Sequence, residues 1–209
     1  GYPLRRNAAR ALGKLSDRRA VPALISALEC SDFYVREAAA QSLEMLEDQS
    51  CLPQLIALLN DNVPGTLPAP EPPQLVQPFD AILEALGTLG ATEAIPAIQP
   101  FLEHSLPRIQ YAAARAMYQL TPGRAATQYS DRLIQALSGD ELQLRRAALA
   151  DLGAIGCLPA AEAIAQTLAE NSLKLIALKG LLEKQLQLTP LPDLSAGAIK
   201  VMALMDELL

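Results

Sequence analysis

The sequence predicts an all-α fold, a right-handed αα-superhelix of about five to six stacked helix pairs with a Pro-rich insertion. Three observations predict it. A stretch of helical pattern, SDFYVREAAAQSLEML (31–46), recurs along the chain, with its last apolar residue falling at Leu15, Leu46, Leu89, Leu120, Ile155 and Leu186. The offsets are 31, 43, 31, 35 and 31 residues, one period interrupted twice. Between the copies lies a second helical segment of its own pattern. Finally, hydrophobic residues make up 51% of the chain and aromatics only 4%, with no Trp, a composition suited to helices packed closely through Ala and Leu. A fixed repeat of this length is the signature of stacked supersecondary units that bury their apolar faces only against each other.

The recurring stretch is called helix B. Its copies begin at GYPLRRNAARALGKL and continue through VQPFDAILEALGTL, LPRIQYAAARAMYQL and DELQLRRAALADLGAI to a weaker NSLKLIALKGLLEKQL. The intervening helix A reads DRRAVPALISAL (17–28), DQSCLPQLIALL (48–59), ATEAIPAIQPFL (91–102), QYSDRLIQAL (128–137) and AAEAIAQTL (160–168). Pro22, Pro53 and Pro96 stand near three of these starts, where a missing N–H costs nothing. Val21, Leu24, Ile25 and Leu28 then show the i, i+3, i+4 spacing of one apolar helix face. Each helix, about 12 residues or ~18 Å long, is too short to persist without its neighbours.

The longest offset marks an insertion, 60–77, with Pro64, Pro68, Pro70, Pro72 and Pro73. So many fixed φ angles and missing donors predict an extended, polyproline-like loop. The shorter excess around TPGRAAT (121–127) predicts a plain connection. Residues 1–189 thus read as the solenoid, and 190–209 as a linker and a C-terminal capping helix. The chain opens in mid-repeat without Met, which predicts a further repeat upstream.

A net charge of −6 and a pI near 4.9 exclude a general electrostatic grip on nucleic acid. No apolar run approaches the ~18 residues of a membrane helix. Cys30, Cys51 and Cys157 are far apart and uneven in number, and a single His104 builds no metal site with them. They read as reduced structural cysteines of a cytoplasmic protein, and His104 as a turn residue between repeats. No Ser/His/Asp set and no phosphate-cradling Gly loop is present, so periodicity alone implies a helical-repeat binding module.

Two faces of helix B carry polar residues. The position of Arg36 is filled in the other copies by Arg5, Phe79, Gln110, Arg145 and Ile176. Asp32 precedes Arg36 by four residues and Glu141 precedes Arg145 likewise, a spacing that predicts ion pairs in a structural ladder. The adjacent face reads Arg6/Arg10/Gly13, Glu37/Gln41/Glu44, Asp80/Glu84/Gly87, Tyr111/Arg115/Tyr118 and Arg146/Ala150/Gly153. On the concave side of an αα stack these would form one inner surface, acidic in the middle and flanked by Arg and Tyr. A merely solvated face would carry Lys, and this one has none.

YPLRRNAARALGKL, RRAVPALI, ECSDFYVREAAAQSLEML, EALGTLGATEAI, QYAAARAMYQL, LQLRRAALADLGAIG and LPAAEAIAQTLAENSLKLIALKGLLE resemble the E-subunit family of cyanobacterial phycocyanobilin lyases, built of HEAT-like repeats of the phycobilisome-lyase type. The resemblance covers the chain to about Lys184 and is weakest in the Pro-rich insertion and the tail. It implies a heterodimer with a related F subunit that attaches phycocyanobilin by a thioether bond to one cysteine of the phycocyanin α subunit. It implies no prosthetic group, with phycocyanobilin as substrate, and no catalytic nucleophile, because the bilin itself is electrophilic and needs only to be held beside the thiol. Toward that ligand, Arg115 and Arg146 suit its propionates. Asp80 or Glu84 suits its pyrrole N–H groups, and Tyr111 and Tyr118 its conjugated plane. Glu37, Gln41 and Glu44 are candidates for contact with a partner protein. The alternative is a non-catalytic repeat scaffold that recruits proteins.

Overall fold

The computed structural model describes residues 1–65 and 76–209. The greater part of the Pro-rich insertion, 66–75, lies outside the described residues, and the extended-loop expectation with it. Twelve α-helices and no strand occur among the described residues. B helices are the odd members: α1 (Tyr2–Lys14), α3 (Phe33–Leu46), α5 (Phe79–Thr88), α7 (Pro107–Leu120), α9 (Leu142–Ile155) and α11 (Asn171–Leu188). A helices are the even members: α2 (Val21–Ala27), α4 (Leu52–Asn60), α6 (Ile95–Ile98), α8 (Thr127–Ala136), α10 (Ala161–Gln166) and α12 (Ala196–Asp206). The all-α repeat reading therefore holds, pair by pair. The chain forms two compact units, Gly1–Thr121 and Pro122–Leu209.

Local chemistry explains the boundaries. Asp32 Oδ1 accepts the Val35 N–H at 3.0 Å and caps α3. Asp17 and Asp48 cap the single 3₁₀ turns that lead into α2 and α4, accepting from Arg19 N and Ser50 N at 2.9 Å. Pro22, Pro53 and Pro96 each sit in the first turn of an A helix, as their spacing predicts. The expected single helix over 91–102 is instead a 3₁₀ turn, the short α6 and a second 3₁₀ stretch, Gln99–Glu103. Pro100 has no N–H to return to the carbonyl of residue 96, so the α-pattern stops there. After the last apolar residue of four B helices the backbone turns left-handed: Ser16, Glu47, Gly90 and Gly156 have φ of 54°, 51°, 70° and 64°. That one repeated turn reverses the chain into α2, α4, α6 and α10.

In the first unit the consecutive B helices pack α1 on α3, α3 on α5 and α5 on α7, and in the second α9 packs on α11. The core is the predicted Ala/Leu seam. Val35, Ala39, Leu43 and Leu46 of α3 are all buried, and so are Ile82, Leu86 and Leu89 at the α5 end. Burying one such Leu contributes about 1.5–3 kcal/mol. Small residues set the closeness of approach: Ser42 Oγ donates to the Ala9 carbonyl at 2.8 Å, bonding α3 directly to the backbone of α1. In the second unit α12 packs on α10 and α11, with its N-terminus capped by Ser195. No described helix is long and apolar enough to cross a membrane.

Candidate functional site

The predicted ion-pair ladder is present with different chemistry. Arg36 does not pair with Asp32, whose carboxylate is occupied as the cap of α3. Its Nη1 donates to the Cys30 carbonyl at 2.6 Å and its Nη2 to the Val76 carbonyl at 2.7 Å. Arg145 likewise ignores Glu141, donating to the Gly139 carbonyl at 2.6 Å and to the Leu168 carbonyl at 2.9 Å. Gln110, at the same repeat position, donates to the His104 carbonyl at 2.7 Å. All three reach the carbonyl six residues back, at the turn before their own helix. Carbonyls left unsatisfied at helix ends outcompete a solvated carboxylate for the fork. The ladder is structural.

On that face α3, α5 and α7 bring most of the predicted residues together. Asp80 Oδ2 lies 3.4 Å from Arg108 Nε, and Glu84 Oε1 lies 3.5 Å from Arg115 Nη1, so two acid–base pairs span α5 and α7. Their exposure differs: the Arg115 side chain is 14% exposed and that of Arg108 is 61%. Tyr111 and Tyr118 are half-buried one turn to either side of Arg115. On α3, Glu44 Oε1 accepts from Thr88 Oγ1 of α5 at 2.7 Å, while Gln41 is exposed. Glu37 is half-buried, and its carboxyl is pushed above the usual glutamate value. Burial is the main cause and the Asp80 charge the next, with Arg10, Arg108 and Arg6 pulling the other way. Arg6 and Arg10 of α1 thus complete the face, Arg6 standing 5.6 Å over the Tyr34 ring.

The glycines of the inner-face pattern do not belong to it. Gly13, Gly87 and Gly153 are buried where successive B helices touch. A Cβ at Gly13 would meet Ser42 Oγ at 2.6 Å, and at Gly87 or Gly153 it would meet a helix Cα, of Ala116 or Ala177, at 2.8 Å. The third position of the pattern is a packing position wherever it is Gly. Arg146 belongs to the second unit, where its Nε donates to Glu170 Oε2 at 3.1 Å. It edges a groove of about 380 Å³ between α9 and α11.

Sequence reasoning missed Arg108. It sits three residues before Tyr111, so extending the i, i+4, i+7 pattern back by one turn would have found it. His104 is a turn residue: its Nδ1 accepts the Leu106 N–H at 3.0 Å and its ring stacks on Phe101 at 6.1 Å between centroids. Burial lowers its pKa from the ordinary 6.5, which keeps that nitrogen an acceptor. Cys51 is buried with its thiol pushed up to about 11 by desolvation, and Cys157 is buried as well.

Known proteins match the chain throughout. The family of HEAT repeats matches residues 2–67, and that of PBS lyase HEAT-like repeats matches residues 80–104. The phycocyanobilin lyase subunit alpha of Microchaete diplosiphon is 79% identical over 211 residues, covering 100% of this chain and 72% of that protein. That of Pseudanabaena tenuis is 68% identical, again over 100% of this chain and 76% of its own length. Among solved structures, the complex of CpcE and CpcF of phycocyanin lyase from Nostoc sp. PCC7120 contains a chain that superposes with a TM-score of 0.85 at 61% identity. The match covers 100% of this chain and 75% of that one. On these matches, the chain belongs to the HEAT-repeat family of phycocyanobilin lyase alpha subunits.

Proposed function

We propose that the chain is one subunit of a heterodimeric lyase that attaches phycocyanobilin by a thioether bond to a cysteine of the phycocyanin α subunit. Family membership across the whole chain supports this over a non-catalytic scaffold. The observation that carries the site is the mixed face of α3, α5 and α7, where carboxylates, arginines and tyrosines alternate without a nucleophile among them. A bilin presents two propionates, a row of pyrrole nitrogens and a conjugated plane, and this face offers a counterpart to each. Arg108 is the exposed fork for a propionate, with Arg115 behind it. Asp80 and Glu84 are acceptors for pyrrole N–H groups, and Tyr111 and Tyr118 are surfaces for the plane. Arg146, at the groove between α9 and α11 of the second unit, is a candidate propionate donor there.

Holding the bilin in one conformation beside the incoming thiol is itself catalysis, because orientation converts a slow, promiscuous encounter into a directed one. Gln41 and Glu44 remain the candidates for contact with the F subunit or with phycocyanin. In this reading residues 1–189 are the binding solenoid and 190–209 its cap, and the protein works in the cytoplasm, where thiols stay reduced. The test is reconstitution: this chain, the F subunit, phycocyanobilin and apo-α-phycocyanin, read as covalently bound bilin on a denaturing gel and by absorbance. Native-like product only with both subunits supports the reading. A yield no greater than the spontaneous reaction rejects it.

A further inference from the structure

We propose that Glu37 is the proton-exchanging carboxyl of the chromophore face, handing a proton to the bound bilin as the thioether forms. The inference rests on the lyase reading above and adds a catalytic residue to it.

Geometry separates Glu37 from its neighbours. Of the carboxylates that α3 and α5 place on this face, Asp80 is held by Arg108, Glu84 by Arg115 and Glu44 by Thr88. Glu37 has no hydrogen-bond or ion-pair partner among the described residues. Its direction is fixed: Val35, Ala38, Ala39 and Ala40 are buried around it, so α3 can turn it only toward the face it shares with Asp80. The charged groups that reach it come from three other B helices: Arg6 and Arg10 from α1, Asp80 from α5 and Arg108 from α7. Burial and Asp80 outweigh the three arginines and hold its proton more tightly than in water. A carboxylate locked to an arginine releases no proton and retrieves none, whereas an unpartnered, half-buried carboxyl is free to do both.

The reaction needs such a group. The thiol adds across the exocyclic C=C bond of the terminal bilin ring. A sulfur–carbon bond forms and the π bond breaks, and its electron pair moves into the conjugated system and is taken up by a proton. The thiol's own proton is lost as sulfur attacks. Glu37 gives its proton to the bilin nitrogen system and regains the one the thiol sheds, so the sum is a plain addition with nothing oxidised or reduced.

The test uses the complete heterodimer, phycocyanobilin and apo-α-phycocyanin, with Glu37→Gln and Glu37→Asp. Two quantities are followed against pH: the absorbance band of the bound bilin, which reports its protonation, and the initial rate of covalent attachment. Glu37→Gln is expected to keep heterodimer formation and bilin binding within about twofold, and to slow attachment by ~10²-fold. It should also flatten the alkaline limb of the rate profile, where the unaltered enzyme slows as Glu37 loses its proton. Glu37→Asp is expected to keep that limb at an intermediate rate. A Gln variant with the wild-type rate and profile overturns the inference and leaves the lyase reading intact. So does a Gln variant that binds bilin but no longer binds the F subunit, which would make Glu37 a partner contact. An inactive wild-type heterodimer instead removes the lyase reading, and this inference with it.

Discussion

Gly180 of α11 lies so close to Gly153 of α9 that a Cβ on it would overlap the Gly153 carbonyl oxygen. The two glycines are what lets these B helices cross with their backbones in contact. Gly180→Ala must push a helix backbone away, since no flexible side chain is there to yield. Overpacking of that kind costs about 1–3 kcal/mol. Gly90→Ala has open space around it and pays only for a φ of +70°, about 1–2 kcal/mol. Thermal melts of the two variants should place Gly180→Ala lower. Equal melting temperatures would contradict the crossing described.

Arg36 and Arg145 predict a matched pair of losses. Removing either fork leaves two carbonyls to find water, and each such bond is worth about 0.5–1.5 kcal/mol. Arg36→Met and Arg145→Met should therefore lower stability by roughly 1–3 kcal/mol each in urea unfolding. By contrast, Asp32→Asn should be nearly neutral, because Asn caps a helix as Asp does and no ion pair to Arg36 is lost. A large loss in Asp32→Asn would restore the ion-pair ladder.

Cys51 donates to the Asp48 carbonyl at 3.2 Å and ionises only near 11. In native protein at pH 8, Cys30 should be alkylated first and Cys51 and Cys157 only on unfolding, as read by mass spectrometry. The sign of the linkage follows from the raised value. Stability from Cys51 is complete below the ordinary thiol pKa of 9.0 and is lost as pH climbs toward 11, because the unfolded chain ionises first.

His104 works in the opposite direction. Its folded pKa is depressed, so its contribution is present above the ordinary 6.5 and is lost as pH falls through the lower folded value. Protonation of Nδ1 would abolish the bond from Leu106. The melting temperature should drop on acidification in the native chain and drop less in His104→Asn, whose side-chain oxygen accepts the same N–H without titrating.

The sequence showed the repeats because Leu15, Leu46, Leu89, Leu120 and Ile155 must each fill the same packing position, and period survives where identity drifts. The A helices were legible through Pro22, Pro53 and Pro96, but the single helix expected over 91–102 leaves out the effect of Pro100, where the α-pattern of α6 gives way to 3₁₀. The face was legible in part. Residues sharing one helix can be grouped by spacing, which placed Asp80 with Glu84 and Tyr111 with Arg115. Which helix turns its arginine toward which carboxylate depends on how neighbours sit, and spacing along one helix is silent on that. Hence Arg108 was missed. The same limit misled the ladder: Asp32 and Arg36 are correctly spaced for a pair, yet a backbone carbonyl 40 residues away takes the guanidinium.

The central claim is that the α3–α5–α7 face holds the chromophore. It is tested most directly by measuring phycocyanobilin binding and attachment with Arg115→Ala, Arg108→Ala and Asp80→Asn in the intact heterodimer. Heterodimer formation is checked beside them. Losing a charge-assisted contact of about 1.5–3 kcal/mol predicts bilin binding weakened some 10- to 100-fold, with the heterodimer unchanged. Variants that bind and attach bilin like the unaltered protein, with the heterodimer formed, would contradict the account and move the chromophore to another surface.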